Sequence, residues 1–313
     1  MKRYVGIGFI AIGCFVVAGC APGYFAVDRH PTSETPGFSV DLDEARKIAA
    51  AGDGELPTEV RSLVVTELAL PAWFIMAGGG CEKVPFDFVA YQVVYPDGTI
   101  IIDSCSDKNA YDRIPAPIRS LLFRSFNEKN YDILQQSLRT AKLVLVTHEH
   151  ADHIGGIAAS PYLSEIVPHL LLTTEQYEGA RMEEAGFPEG ALNGYTPVSY
   201  DRYYAAAPGI VTIKAPGHAR GQQMIYVLTK GGSEYLFLGD IIWNRANLKH
   251  RVYRPRLVSL AIKEDAGCAR EEFRWALDTL YDNPNSRIIY VITHDRDQLR
   301  EYINAGVITE GFR

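Results

Sequence analysis

The order of apolar runs predicts an α/β fold of four layers, two mixed sheets packed face to face with helices on both outer sides (αββα). Three observations lead there. Strand-like runs open each half of the chain as hairpins. Helical patterns then separate the later strands. Several of the runs are wholly apolar, as strands covered on both faces must be. The chain has 313 residues, 47% of them hydrophobic, enough for one large core or two small ones.

The elements follow in order. Residues 72–77, 87–95 and 99–103 read as strands, with Pro96-Asp97-Gly98 as the turn between the last two. A helix begins near Tyr131 and closes at Thr140. The β-branched, apolar run 143–147 is a buried strand, and a helix follows from His153. Residues 169–173 form a strand and 175–185 a helix. Strands are expected again at 210–214, 224–229 and 234–238, with Lys230-Gly231-Gly232 as a turn. An amphipathic helix spans 269–281, a buried strand 287–292, and a short helix comes after it. No internal repeat is visible.

The N-terminal region stands apart. Lys2 and Arg3 precede an apolar stretch from Tyr4 to Val17, followed by Val17-Ala18-Gly19-Cys20. A positive start, an apolar segment and small residues make a secretion signal. The last four residues resemble a bacterial lipobox, which implies cleavage before Cys20 and a lipid on its sulfur. Apolar residues resume at 24–27, so an uncleaved membrane span is the rival reading, with Pro22 and Gly23 against it. Residues 1–19 are thus expected as a signal peptide and 20–58 as a tether with room for a short helix over 41–51. The folded domain is expected over 59–313. Every reading places it outside the cytoplasm, on the periplasmic side or the cell exterior. There Cys81 and Cys105, each flanking a strand, could pair, or could stay as thiols with Cys268.

Net charge is -7, which gives no counterion-release advantage on DNA or RNA, so no nucleic-acid partner is expected. Oligomeric state is not readable from the sequence.

The chemistry concentrates in Thr147-His148-Glu149-His150-Ala151-Asp152-His153. A buried strand runs directly into four metal-binding side chains. His148 and His150 are two apart, so on extended chain both imidazoles face one way. Asp152 and His153 come as the chain turns into a helix and aim elsewhere. One loop can supply two neighbouring sites. Gly155-Gly156 lets the helix pack close to the sheet. Downstream, Ala215-Pro216-Gly217-His218, Leu238-Gly239-Asp240 and Ile292-Thr293-His294-Asp295 each end a strand, and five of the eight histidines lie in these motifs. The set resembles the HxHxDH pattern of the metallo-β-lactamase superfamily from about Val60 onward. The resemblance implies a hydrolase with two Zn2+ ions per chain. His148, His150 and His218 would hold one, Asp152, His153 and His294 the other, and Asp240 would bridge them. Iron or manganese could take the same ligands.

Imidazole and carboxylate suit zinc, and a pair of metals can share one activated water. Asp152 is the candidate catalytic residue, orienting that water and passing a proton to the leaving group. The expected substrate is a small molecule with an ester, lactone or amide bond. A bridging aspartate resembles lactonases, glyoxalase II and phosphodiesterases more than true zinc β-lactamases. Alternatives are a mononuclear iron oxidoreductase acting on persulfides, a phosphodiesterase or β-lactamase, and an inactive metal-binding protein. Where homoserine-lactone lactonases often place a tyrosine, three residues after the bridging aspartate, this sequence has Trp243. Trp243, Asn244, Arg254 and Arg256 are candidates to line the substrate pocket, the arginines gripping an anion. Asp103, at the end of an early strand, could support a ligand histidine. Glu149 should point away from the metals. His30, His169 and His250 read as surface or loop residues.

Overall fold

In the strand Phe88–Tyr95 all eight side chains are buried, yet they serve two different cores. Phe88 and Ala90 join a cluster on one side of the sheet, and Val89, Tyr91, Val93 and Tyr95 a cluster on the other. Side chains of a strand alternate between faces, so a strand apolar at every position must be covered twice. A computed structural model of the chain, which describes residues 38–179 and 185–313, shows what covers it.

The first sheet has eight strands: β1 (Glu59–Pro71), β2 (Lys83–Pro85), β3 (Phe88–Tyr95), β4 (Gly98–Ile102), β5 (Phe123–Phe126), β6 (Leu143–Leu145), β7 (Leu170–Leu171) and, from the far end of the chain, β13 (Thr309–Glu310). The order is β13-β1-β3-β4-β6-β7, with β2 and β5 also paired to β1. The second sheet runs β12-β11-β10-β9-β8, built from β8 (Tyr203–Ala207), β9 (Ile210–Lys214), β10 (Gln223–Leu228), β11 (Glu234–Phe237) and β12 (Ile289–Val291). Both are mixed: β4-β6, β6-β7, β1-β13 and β11-β12 are parallel and the rest antiparallel.

Alternation on the second sheet mirrors that on the first. Ile225, Val227, Tyr235 and Phe237 face the inter-sheet core, while Met224, Tyr226, Leu236 and Leu238 face outward to helices. Tyr91 and Phe237 meet across the interface with ring centroids 4.9 Å apart. Outside the first sheet, helix Glu128–Thr140 buries Leu134 and Leu138. Outside the second, helix Ala266–Ala276 buries Ala269, Phe273 and Ala276, at the spacing of one helix face. Four layers, helix-sheet-sheet-helix, result.

Three expectations need correction. Residues 72–77 form no strand. Pro71 ends the 13-residue β1, and Ala72–Ile75 make a single helical turn that buries Trp73, Phe74 and Ile75. The short helix expected over 41–51 is present as Leu42–Ala51, capped by Asp41, but it is not part of a loose tether: it lays Ala45 and Ala49 on the outer face of the second sheet. No disulfide joins Cys81, which is exposed, to Cys105, which is buried. The helix expected over 175–185 is seen as Thr174–Glu178, and its later part falls partly outside the described residues. The signal peptide, Cys20 and His30 also lie outside them. Among the described residues no helix is long and apolar enough to cross a membrane.

Candidate metal centre

Each group of the candidate centre stands at or just past the C-terminal end of a strand. β6 delivers His148 and His150, and the helix Ala151–Ala158 that follows delivers Asp152 and His153. β9 leads to His218, β11 to Asp240 and β12 to His294. Glycines permit the close approach. A Cβ on Gly156 would lie 2.1 Å from the Ser104 carbonyl oxygen, and one on Gly217 would lie 2.5 Å from Ala269. The helices carrying or flanking the ligands can therefore seat directly on the strand ends.

The seven side chains fall into two groups whose ligand atoms lie within 4.8 Å of one another: His148, His150, His218 and Asp240; and Asp152, His153 and His294. Asp240 joins the two groups. Its Oδ2 is 3.3 Å from His218 Nε2 and 3.9 Å from His148 Nε2, while its Oδ1 is 3.1 Å from His294 Nε2 and 3.4 Å from His153 Nε2. Asp152 Oδ2 stands 3.7 Å from His153 Nε2 and 3.8 Å from His294 Nε2. His218 Nε2 lies 3.0 Å from His150 Nδ1.

Hydrogen bonds on the far side of the rings fix which nitrogen faces inward. His294 Nδ1 is 2.7 Å from the Asp87 carbonyl oxygen, which can only accept, so Nδ1 carries the proton and Nε2 presents a lone pair. His153 Nδ1 donates to Asp103 Oδ2 at 2.9 Å in the same way. Asp103 is held in turn by the Thr147 backbone N–H at 2.7 Å and the Thr147 hydroxyl at 2.8 Å. It adopts φ 61°, an unusual backbone for a non-glycine residue, at the point where β4 meets the ligand loop. His218 Nδ1 lies 3.3 Å from Glu264 Oε2.

The inward-facing Nε2 atoms of His148, His153 and His294, with Asp240 Oδ1, are buried and have no hydrogen-bond partner within the protein. Four such atoms, gathered on the two sides of Asp240, would each carry a desolvation penalty. A divalent cation in each group would remove it, because these atoms present lone pairs to the space between the side chains. Electrostatics agrees. Burial, and then the neighbouring imidazoles, push the pKa of His148 well below its ordinary value, so it is neutral and ready to ligate. Burial alone would raise the pKa of Asp240, but His294 and His153 outweigh it and hold the carboxylate ionised. Burial opposes charge on His153, yet Asp103, Asp152 and Asp240 prevail and raise its pKa; a bound metal would compete with that proton.

The remaining candidates are distributed differently. Trp243 is 5% exposed, and its indole nitrogen donates to Asp240 Oδ2 at 2.7 Å. Asn244 caps the helix Arg245–His250 through its side chain. Arg254 is 2% exposed and reaches the backbone of Asp240 and Ile241, so it is spent inside the protein and grips no substrate anion. Arg256 is exposed at the start of helix Arg256–Ala261. Glu149 points away from the metal groups, but it is buried, with Oε1 accepting from the Gly221 backbone at 3.2 Å. His169 bonds the Leu138 carbonyl oxygen at 3.1 Å and His250 is exposed. Three partners had no visible signal in the sequence: Glu264 and the Asp87 carbonyl, each far along the chain from the histidine it supports, and Phe86, which stacks on His294 at 3.9 Å.

A family model described as the metallo-beta-lactamase superfamily matches residues 89–264, more than half of the chain. The chain belongs to that superfamily. Among curated proteins, it is 25% identical over 179 residues to a hydroxyacylglutathione hydrolase of Vibrio parahaemolyticus, covering 55% of this chain and 60% of the relative. It is 27% identical over 124 residues to an N-acyl homoserine lactonase of Bacillus thuringiensis, covering 38% and 48%. The chain thus spans about half to three-fifths of the length of these relatives. A solved N-acyl homoserine lactone hydrolase with N-hexanoyl-L-homoserine bound superposes with a TM-score of 0.57 at 14% identity, over 79% of this chain and 96% of that one, so the fold is shared.

Proposed function

We propose that the chain is a metal-dependent hydrolase that uses two zinc ions to open an ester or lactone bond in a small, largely apolar substrate. The observation that carries this reading is the division of Asp240, one oxygen toward each histidine group. One carboxylate set between two clusters of imidazoles suits a dinuclear site, and nitrogen and oxygen donors without thiolate suit zinc. A single iron with part of this set would leave the remaining donors buried and unused. When bound, such ions supply Lewis acidity and lower the pKa of a water.

The chain's own residues do the rest. Asp152 is the least buried of the carboxylates, with 21% of its side chain accessible against 4% for Asp240. It can hold the attacking water by one oxygen and return the proton to the leaving alkoxide as the carbonyl C–O bond breaks. Phe74, Phe86 and Trp243, all buried, back His218 and His294 as an apolar aromatic wall. With Arg254 buried and paired, that wall favours an acyl group over a phosphate. The relatives named for a lactone and for an acyl-glutathione conjugate support the same class.

The test is turnover by zinc-loaded full-length protein on lactones, thioesters, nitrocefin and a bis-nitrophenyl phosphate, with metal analysis alongside. Hydrolysis of lactones or esters with two zinc per chain is expected. Activity confined to the phosphodiester, or one iron per chain, would discard the reading.

We also propose export and lipid anchoring at Cys20, supported by the Lys2-Arg3 start, the apolar stretch and Val17-Ala18-Gly19-Cys20. Cys20→Ser should move the protein from the membrane to the soluble fraction; retention at the membrane would contradict the lipid anchor.

A further inference from the structure

The Trp243 indole links the candidate metal centre to a buried charge pair behind it. The ring lies nearly parallel to Phe74, with centroids 5.7 Å apart and planes at 7°, and edge-on to Phe86. The Arg254 guanidinium sits 3.9 Å from the ring centroid. Arg254 donates to the backbone oxygens of Asp240 and Ile241 and comes within 3.4 Å of Glu264 Oε2. Glu264 meets His218 Nδ1 at 3.3 Å. Asp240, Trp243, Arg254, Glu264 and His218 therefore close a ring of contacts behind two ligands of the first histidine group.

Taking a guanidinium and a carboxylate out of water is costly before they pair, and well-packed apolar residues often serve stability as well. What this pair holds in place is a better account of it than stability. A carboxylate can turn about its last bond, whose torsion is broad. A partial turn would swing both oxygens of Asp240 off the two histidine groups and undo the division between them. The indole N–H, fixed between Phe74 and Arg254, pins one oxygen and with it the plane of the carboxylate, which keeps the other oxygen facing His153 and His294.

We propose that Trp243 is a positioning residue for Asp240, and that its N–H, backed by Arg254, sets the metal affinity of the position formed by His148, His150 and His218. This rests on the two-metal reading above. It also means that the N–H is committed to the protein and does not bind substrate.

The test is titration of metal-free protein with cobalt(II), followed by its absorption spectrum and by chelator competition, for wild type and Trp243→Phe. Phenylalanine keeps a six-membered ring between Phe74 and Arg254 and deletes the donor with the small ring that carries it. Wild type should take two equivalents. The variant should bind one normally and the other about 10- to 100-fold more weakly, the usual cost of losing a support to a ligand. Two equivalents at wild-type affinity in the variant would overturn the proposal, and a fall in kcat/KM alongside would assign the indole to substrate. A wild type taking a single equivalent would instead overturn the two-metal reading. If the variant does not fold, the wild-type indole resonance of Trp243 decides, assigned with Trp73→Phe and Trp275→Phe. It should shift on zinc loading, and a stationary resonance overturns the proposal.

Discussion

Asp152 and Asp240 are carboxylates a few ångströms apart in the same cluster, and their surroundings give them different tasks. Asp240 is enclosed by four imidazoles and an indole, whereas Asp152 keeps access to solvent. Asp152→Ala should therefore lower kcat/KM by about 10²-fold or more, the range of proton-transfer catalysis, while the protein stays folded and still takes up metal. Asp240→Ala should reduce zinc from two per chain to one or fewer, read by mass spectrometry. Equal metal content in the two variants would contradict this division. The seven side chains that the structure brings together were legible in the sequence because alternation on extended chain and strand-end motifs are local signals. Asp103 was legible as well, ending the strand next to β6. Arg254 and Glu264 were not, because they reach His218 across 36 and 46 residues of chain. No local pattern tells a buried arginine that braces a ligand from one that grips a substrate.

Between residue and fold, the close seating of helices on strand ends makes two positions sensitive. At Gly156 a Cβ would collide with the Ser104 carbonyl oxygen, which is backbone and cannot swing aside. Gly156→Ala should destabilise by about 1–3 kcal/mol, the usual cost of overpacking, seen as a lower midpoint in urea. An unchanged midpoint would mean that the helix can slide. Glu272, on the helix Ala266–Ala276, is fully buried beside Gly217, and burial pushes its pKa up to about 8. A carboxyl whose folded pKa is raised contributes most below its unfolded value of 4.5 and loses that contribution as pH climbs through about 8. The melting temperature of metal-free wild type should thus fall between about pH 5 and 8 relative to that of Glu272→Gln; parallel profiles would refute the assignment. The same scale explains what the sequence concealed. β1 bulges between Val64 and Thr66 and again between Glu67 and Leu68, so its alternation is broken where a period-two pattern would be sought. Residues 72–77 carry the apolar composition of a strand, but Pro71 and the turn of Ala72–Ile75 divert them into the core.

At the scale of the whole molecule, the order of hairpins and helices was enough to anticipate two sheets face to face, because that order records which strands can pair locally. It held no information on how far apart the sheet ends would lie, and there the candidate metals matter. His148, His150, Asp152 and His153 follow β6 in the first sheet, while His218, Asp240 and His294 follow β9, β11 and β12 in the second. Each ligand group therefore draws on both sheets, and an ion in either one ties them together. The unfolded chain has no such site, so binding free energy becomes folding free energy. A ligand at 100 times its Kd adds about 2.7 kcal/mol. For a domain of this size each 1 kcal/mol moves Tm by about 2–4 °C, which makes the expected loss on chelation about 5–10 °C. Calorimetry of the full chain at fixed protein concentration, with and without chelator, measures it. Hydrogen exchange should locate the loosening at the ends of β6, β9, β11 and β12, with the opposite ends of the same strands unaffected. If Tm were insensitive to chelator, the converging imidazoles would have to be held by the scaffold alone, and the buried nitrogens without partners would lack the cation that accounts for them.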